Sequence, residues 1–177
     1  MKIAVLGYSG AGKSTLAKQL AQHYNIPLLY LDCVNFEENW KLRDRKEGRQ
    51  IVADFMKQDS WVIDGNYSEF YQAERLEKAS LILILKYSRF ACLKGVFGRY
   101  FANKGKARES IANGCTEKID FEFFNWVLWR QYSFAKTIKW NRLKKKYPNK
   151  VYIFKSRKEL NEFLLRYFKG FSEMKNV

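Results

Sequence analysis

Residues 7–14 read Gly-Tyr-Ser-Gly-Ala-Gly-Lys-Ser and fit GxxxxGK[ST], a spacing specific for nucleotide phosphates. Glycines let the main chain curl so that successive N–H groups point at phosphate oxygens. Lys13 would reach the β- and γ-phosphates, and the Ser14 hydroxyl would meet a Mg²⁺ ion. The expected cradle is Gly7, Tyr8, Ser9, Gly10, Ala11, Gly12, Lys13, Ser14 and Thr15, with ATP and Mg²⁺ as its ligands. Asp64 could hold the metal through water, as phosphoryl transfer needs, although Asp-Gly is also a common turn pair. Asp32 could accept a proton from a substrate hydroxyl as general base, or serve as a turn residue. Arg99 and Arg108 are expected to clamp the phosphoryl group in flight, with Arg89 a weaker candidate. Arg43, Arg45 and Arg49 could grip an anionic acceptor, and Trp40 could stack on a base or join the core.

These residues need elements to position them. Residues 2–6 are an apolar strand that feeds the glycine loop, and 15–21 have helical spacing. Asn25 is a C-terminal cap and Pro27 a stop. A second strand over 28–31 is closed by Asp32, and 33–40 read as a loop. Residues 43–58 read as a helix, and a third strand from Trp61 carries Asp64 into a glycine turn. A short helix over 70–78 precedes a fourth strand, 81–85, which has no polar alternation. Such strands belong to a parallel sheet covered on both faces, and the alternation of strand and helix favours an open α/β sheet. Residues 89–103 are helical, 104–115 read as a mobile loop, and 117–147 as one long aromatic-rich helix that Pro148 stops. A fifth strand, 151–154, leads to a capping box, Ser156 to Glu159, that opens the last helix. The tail after Gly170 is expected to fray.

The chain has 177 residues and a formal net charge of +15. The length suits one domain, and the charge points to a polyanionic partner or to a generally basic surface. Cys33, Cys92 and Cys115 are odd in number and scattered, which argues for a reducing cytoplasm. No leader is visible, and the longest apolar run, 81–85, is too short for a membrane span of about 20 residues. A single histidine, His23, makes a histidine-based metal site or triad a poor expectation.

The phosphate loop followed by Thr15-Leu16-Ala17, then Leu31-Asp32 and residues 61–67, resembles the adenylate-kinase and shikimate-kinase side of the P-loop fold. More narrowly, several segments resemble the bacterial DNA topology modulation proteins. These are Asp64-Gly65-Asn66-Tyr67, Tyr87-Ser88-Arg89-Phe90, Arg99-Tyr100, Arg108, Gly114-Cys115, Glu117-Lys118-Ile119-Asp120 and Trp126. The resemblance implies an αβα sandwich with a parallel sheet of order 2-3-1-4-5. It also implies one domain over 1–177, an acceptor-side segment near 33–58 and a lid near 103–116. Nucleotide kinases continue after the third-strand Asp-Gly as Phe-Pro-Arg, and that arginine holds the acceptor phosphate. Here Asn66-Tyr67-Ser68 stand instead, so a nucleotide, a nucleoside or another small hydroxyl compound is an equally open acceptor. The expected function is Mg²⁺-dependent phosphoryl transfer from ATP. A second reading is a nucleotide-regulated DNA-binding protein, for which Lys139, Arg142, Lys144, Lys145, Lys146 and Lys150, interleaved with Trp140 and Tyr147, would track a phosphate backbone. A third is hydrolysis of ATP with no acceptor.

Overall fold

The computed structural model describes residues 1–102, 110–111 and 121–168. Among them, β1 (Lys2–Gly7), β2 (Leu28–Tyr30), β3 (Trp61–Asp64), β4 (Leu81–Leu85) and β5 (Val151–Phe154) form one sheet of order β2-β3-β1-β4-β5. Every pairing is parallel, and Val5 stands opposite Asp64 and Gly7 opposite Leu85. The carboxyl ends of β1, β2 and β3 therefore lie along one edge, where ligands of such sheets bind. This is the P-loop NTPase αβα fold, in the strand order expected from the sequence.

The central strands are buried on both faces, from Ile3 to Leu6 in β1 and Ile82 to Leu85 in β4. Each such side chain larger than alanine contributes about 1.5–3 kcal/mol of burial. Helix α1 (Lys13–Tyr24) lays Leu16, Ala17, Leu20 and Ala21 on the sheet and ends at Asn25 in the left-handed conformation. The small Ala17 and Ala21 let the helix approach closely, which holds its amino end tight over the strand ends. Helix α8 (Arg157–Tyr167) opens on the expected Ser156 cap, with Glu159 reaching one residue further back than in a standard capping box. Ser156 Oγ accepts from the Glu159 N–H, and Glu159 reaches back to the Lys155 N–H.

The connections differ from expectation in three places. β2 stops at Tyr30, and residues 31–35 form a short helix, α2 (Leu31–Asn35), followed by a 3₁₀ turn at Glu38–Trp40, where a loop was expected. Leu31 is fully buried, so the chain turns down into the core and does not extend the edge strand. The helix expected over 43–58 is α3 (Arg45–Phe55), shortened because Asp44 caps it by accepting from the N–H groups of Lys46 and Glu47. The long helix expected over 117–147 is broken. Its described part is α6 (Phe121–Asn125), a π-helical turn at Trp126–Arg130 and then α7 (Phe134–Lys146). Ser133 is extended and caps α7 by accepting from the Lys136 N–H, which starts a new helix where sequence periodicity runs on. α4 (Gln72–Lys78) and α5 (Arg89–Ala102) fall where expected.

Candidate active site

The phosphate loop is built by close packing. Gly7 has φ +141°, and a Cβ there would overlap the Leu85 carbonyl. Gly10, with φ +78°, lies against α5, so that a Cβ on either Gly10 or Gly95 would overlap the other segment's main chain. Asn66 grips the loop's first residue from β3's side: its Oδ1 accepts from the Gly7 N–H (3.1 Å) and its Nδ2 donates to the Gly7 carbonyl (2.7 Å). α1 has no side-chain cap at Gly12, so its first N–H groups are left for an anion. Lys13 Nζ folds back to the Tyr8 carbonyl at 3.1 Å. Tyr8 serves the loop through its main chain alone. Its ring is buried against Tyr132 (4.1 Å) and Trp140 (4.9 Å), and burial first of all pushes its hydroxyl above the usual tyrosine range.

Ser14 Oγ donates to Asp64 Oδ2 at 2.7 Å. This joins the loop to the buried carboxylate at the end of β3. A hydroxyl and a carboxylate are hard oxygen donors, and this pair fits Mg²⁺, which takes one or two protein ligands and fills its octahedron with phosphate and water. Among the described residues no cluster of three or more metal-binding side chains exists, as an all-protein cage would need.

Two cavities flank the loop. The first, about 520 Å³, is lined by Gly10, Gly12, Ser14 and Thr15 together with Lys18 and Arg157. The second, about 740 Å³, runs from Ser9 past Asp32 and Asp64 to Trp40, Tyr67 and Glu69. Lys13 and Arg99 line both. Ser110 lines the first and Ile111 the second.

Asp32 sits in the first turn of α2, not at a strand end as expected, yet it faces the second cavity. Its Oδ1 accepts from the Tyr67 hydroxyl at 2.8 Å. Burial, then the Asp32 charge, pushes the Tyr67 hydroxyl far above the usual tyrosine range, so it remains a donor that orients the carboxylate. The 65–70 segment that carries Tyr67 is held by Arg75, which is fully buried. Its guanidinium donates to the carbonyls of Phe70 (2.8 Å), Tyr67 (2.6 Å) and Gly65 (3.4 Å). Burial lowers its pKa to about 10.

The other expected residues divide. Arg99 is in place between the cavities, whereas Arg108 lies outside the described residues, as does most of the expected lid segment. Arg89 is corrected from clamp to brace: its guanidinium lies over Trp129 (4.6 Å) and Tyr132 (5.3 Å). Trp40 is 41% exposed and lines the cavity, so it is no core residue. Gln131, Lys136 and Arg75 have no signal in the sequence, and Asn66 is read there only as part of a family segment, with no role assigned. Gln131 is buried, accepts from the Ser9 N–H at 2.8 Å and donates to the Val127 carbonyl at 2.8 Å. Lys136 lines the second cavity, and burial followed by the Lys13 charge holds its pKa below the usual lysine range.

Sheet order, phosphate loop and strand-end carboxylate together make this a P-loop NTPase fold. Residues 3–64 match the model of the ATPase family associated with various cellular activities (AAA), a stretch that runs from β1 through the loop to Asp64. None of the curated proteins compared with the chain matches it. Among solved structures, a shikimate kinase from Bacteroides thetaiotaomicron is 17% identical, with 94% of this chain and 95% of that one covered and a TM-score of 0.49. An uncharacterized protein from Eubacterium ventriosum ATCC 27560 is 16% identical over 96% and 99%, at 0.48. A candidate kinase from Chloroflexus aurantiacus J-10-fl is 14% identical over 79% and 95%, at 0.44. No helix among the described residues is long and apolar enough to cross a membrane.

Proposed function

We propose that the protein is a cytoplasmic ATP-dependent phosphotransferase acting on a small hydroxyl compound. The observation that carries this reading is that two cavities share Lys13 and Arg99. The triphosphate lies along the loop in the first cavity, and the acceptor lies in the second beside Asp32. Ser14 and Asp64 would hold Mg²⁺, which would supply charge neutralisation at the phosphates. The acceptor oxygen attacks the γ-phosphorus, the bond to the β–γ bridging oxygen breaks, and ADP leaves. Asp32, oriented by Tyr67, takes the hydroxyl proton. Lys13 and Arg99 stabilise the charge spread over the phosphoryl oxygens. Arg108 is proposed to join them.

Lys13→Ala should abolish ATP binding in a calorimetric titration while the circular dichroism spectrum stays unchanged. Retained affinity would overturn the assignment. Asp32→Asn should lower turnover by about 10²–10⁴-fold with ATP affinity kept, and equal turnover would remove its role as base.

A further inference from the structure

Two neighbouring residues of the phosphate loop are held by one segment far along the chain. Tyr8 packs its ring on Tyr132 and Trp140, and Ser9 gives its N–H to Gln131. The π-helical turn at Trp126–Arg130 sets how the Gln131 amide is presented. In an α-helix the Gln131 N–H would donate to the Val127 carbonyl. Here it is drawn to the Trp126 carbonyl at 3.0 Å, and it is the side-chain Nε2 of Gln131 that donates to Val127, at 2.8 Å. A carbonyl only accepts, so it fixes Nε2 on its own side and leaves Oε1 for the loop. Oε1 needs a donor, and the Ser9 N–H supplies it at 2.8 Å. Gln131 is buried, so leaving either bond unmade would cost the desolvation of the group.

The consequence reaches Lys13. The Ser9 N–H and the Tyr8 carbonyl belong to one trans peptide plane and point to opposite sides of it. With the N–H held by Gln131, the carbonyl is aimed the other way. There it accepts from the Ala11 N–H (3.3 Å) and from Lys13 Nζ (3.1 Å). Turned over, the plane would set carbonyl oxygen against amide oxygen and remove the acceptor from Lys13.

We propose that Gln131 is a positioning residue of the ATP site. By orienting the Tyr8–Ser9 peptide it sets where the Lys13 ammonium waits, and it keeps the loop in one shape before and after ATP binds. It acts through the loop and makes no contact with the reacting atoms. The inference rests on the reading of the loop as an ATP site and deepens it.

The test measures ATP affinity by calorimetry and follows the Ser9 amide and the Lys13 side chain by NMR, all in the full chain. Gln131→Met keeps the reach of the side chain and removes both of its hydrogen bonds. It should weaken ATP about tenfold. It should also shift the Lys13 side-chain signals, although Lys13 bonds to the Tyr8 carbonyl and Gln131 to Ser9 and Val127. In the wild type the Ser9 amide should be protected from hydrogen exchange with and without ATP, and in the variant that protection should be lost. A variant that binds ATP as the wild type does, or that loses affinity with the Lys13 signals unmoved, overturns the inference and makes Gln131 a packing residue. A wild-type Ser9 amide that exchanges freely once ATP is bound also overturns it, and that measurement needs no variant to fold. Each of these outcomes leaves the transfer reading standing. A wild type that takes no ATP overturns the transfer reading and the inference with it.

Discussion

Lys136 is a cation placed where another cation already stands. It is half-buried beside Lys13, and both line the second cavity, into which the phosphoryl group is proposed to pass from ATP. Burial comes first and Lys13 second in holding its pKa below the usual lysine range. The unfolded chain therefore keeps this proton to higher pH than the folded one. Below the lowered folded value, the cost of the buried charge is felt in full. As pH rises through that value toward 10.5, the cost is relieved and stability increases. ATP reverses the preference, because phosphate oxygens favour the ammonium form. Lys136→Met should accordingly raise the melting temperature of the empty protein and weaken ATP about tenfold. The wild type should also lose ATP affinity on the alkaline side with a proton dependence that the variant lacks. Thermal melts and ATP titrations of both proteins, from about pH 7 to about pH 10, check all three. A variant with lower stability and unchanged ATP affinity would make Lys136 a packing residue.

Helix α5 acts on the site through the closeness of its approach. Gly95 leaves no room for a methyl group against the Gly10 carbonyl, whereas Gly98, one turn on, has nothing within 4 Å of a built Cβ. Gly95→Ala should push helix and loop apart, cost about 1–3 kcal/mol and lower ATP affinity. Gly98→Ala should be neutral or stabilise by up to about 1 kcal/mol, because an exposed helical glycine is replaced by a better helix former. Urea denaturation of the pair separates the local clash from a general glycine effect. The same helix shows where sequence reading succeeds. Its bounds, the five strands and the Ser156 cap follow from periodicity and local capping chemistry, which act over a few residues. The loop and Asp64 follow from a motif and a strand end. Gln131 and Asn66 do not, because their roles depend on pairings across 122 and 59 residues of chain. The break at Ser133 is legible only in retrospect. Aromatic side chains recur on both sides of it at helical spacing, and only the Ser133 cap and the Gln131 reach to Ser9 show what the break accomplishes.

At the scale of the molecule, a charge of +15 is the property that a nucleic-acid partner would read first. The cluster that carries this idea, at the end of α7, lies on the surface, but four of its six cations are engaged by neighbouring groups. Lys144 donates to the carbonyls of Pro148 (2.8 Å) and Val151 (2.6 Å). Lys146 faces Glu77 at 3.4 Å, Lys150 donates to the Glu77 carbonyl at 2.7 Å, and Lys139 is bonded to Gln72. Trp140 is buried against Tyr8, so it offers no face to a base. These contacts tie α7 and β5 to α4 and so help to hold the segment bearing Gln131 and Lys136 over the loop. A cation engaged in this way releases little counterion when a phosphate approaches, and each fully neutralised phosphate adds about 0.9 to the slope of log affinity on log salt. Arg142 and Lys145 remain, so the α7 end should contribute a slope of about two phosphates, with duplex binding lost by about 0.15 M salt. Fluorescence anisotropy of a labelled duplex across salt concentrations measures this directly, and Arg142→Gln with Lys145→Gln should flatten what slope there is. A steep dependence equivalent to six or more phosphates, reduced when Lys139, Lys144 and Lys146 are replaced by glutamine, would instead make this face a nucleic-acid surface and return the DNA-binding reading to first place.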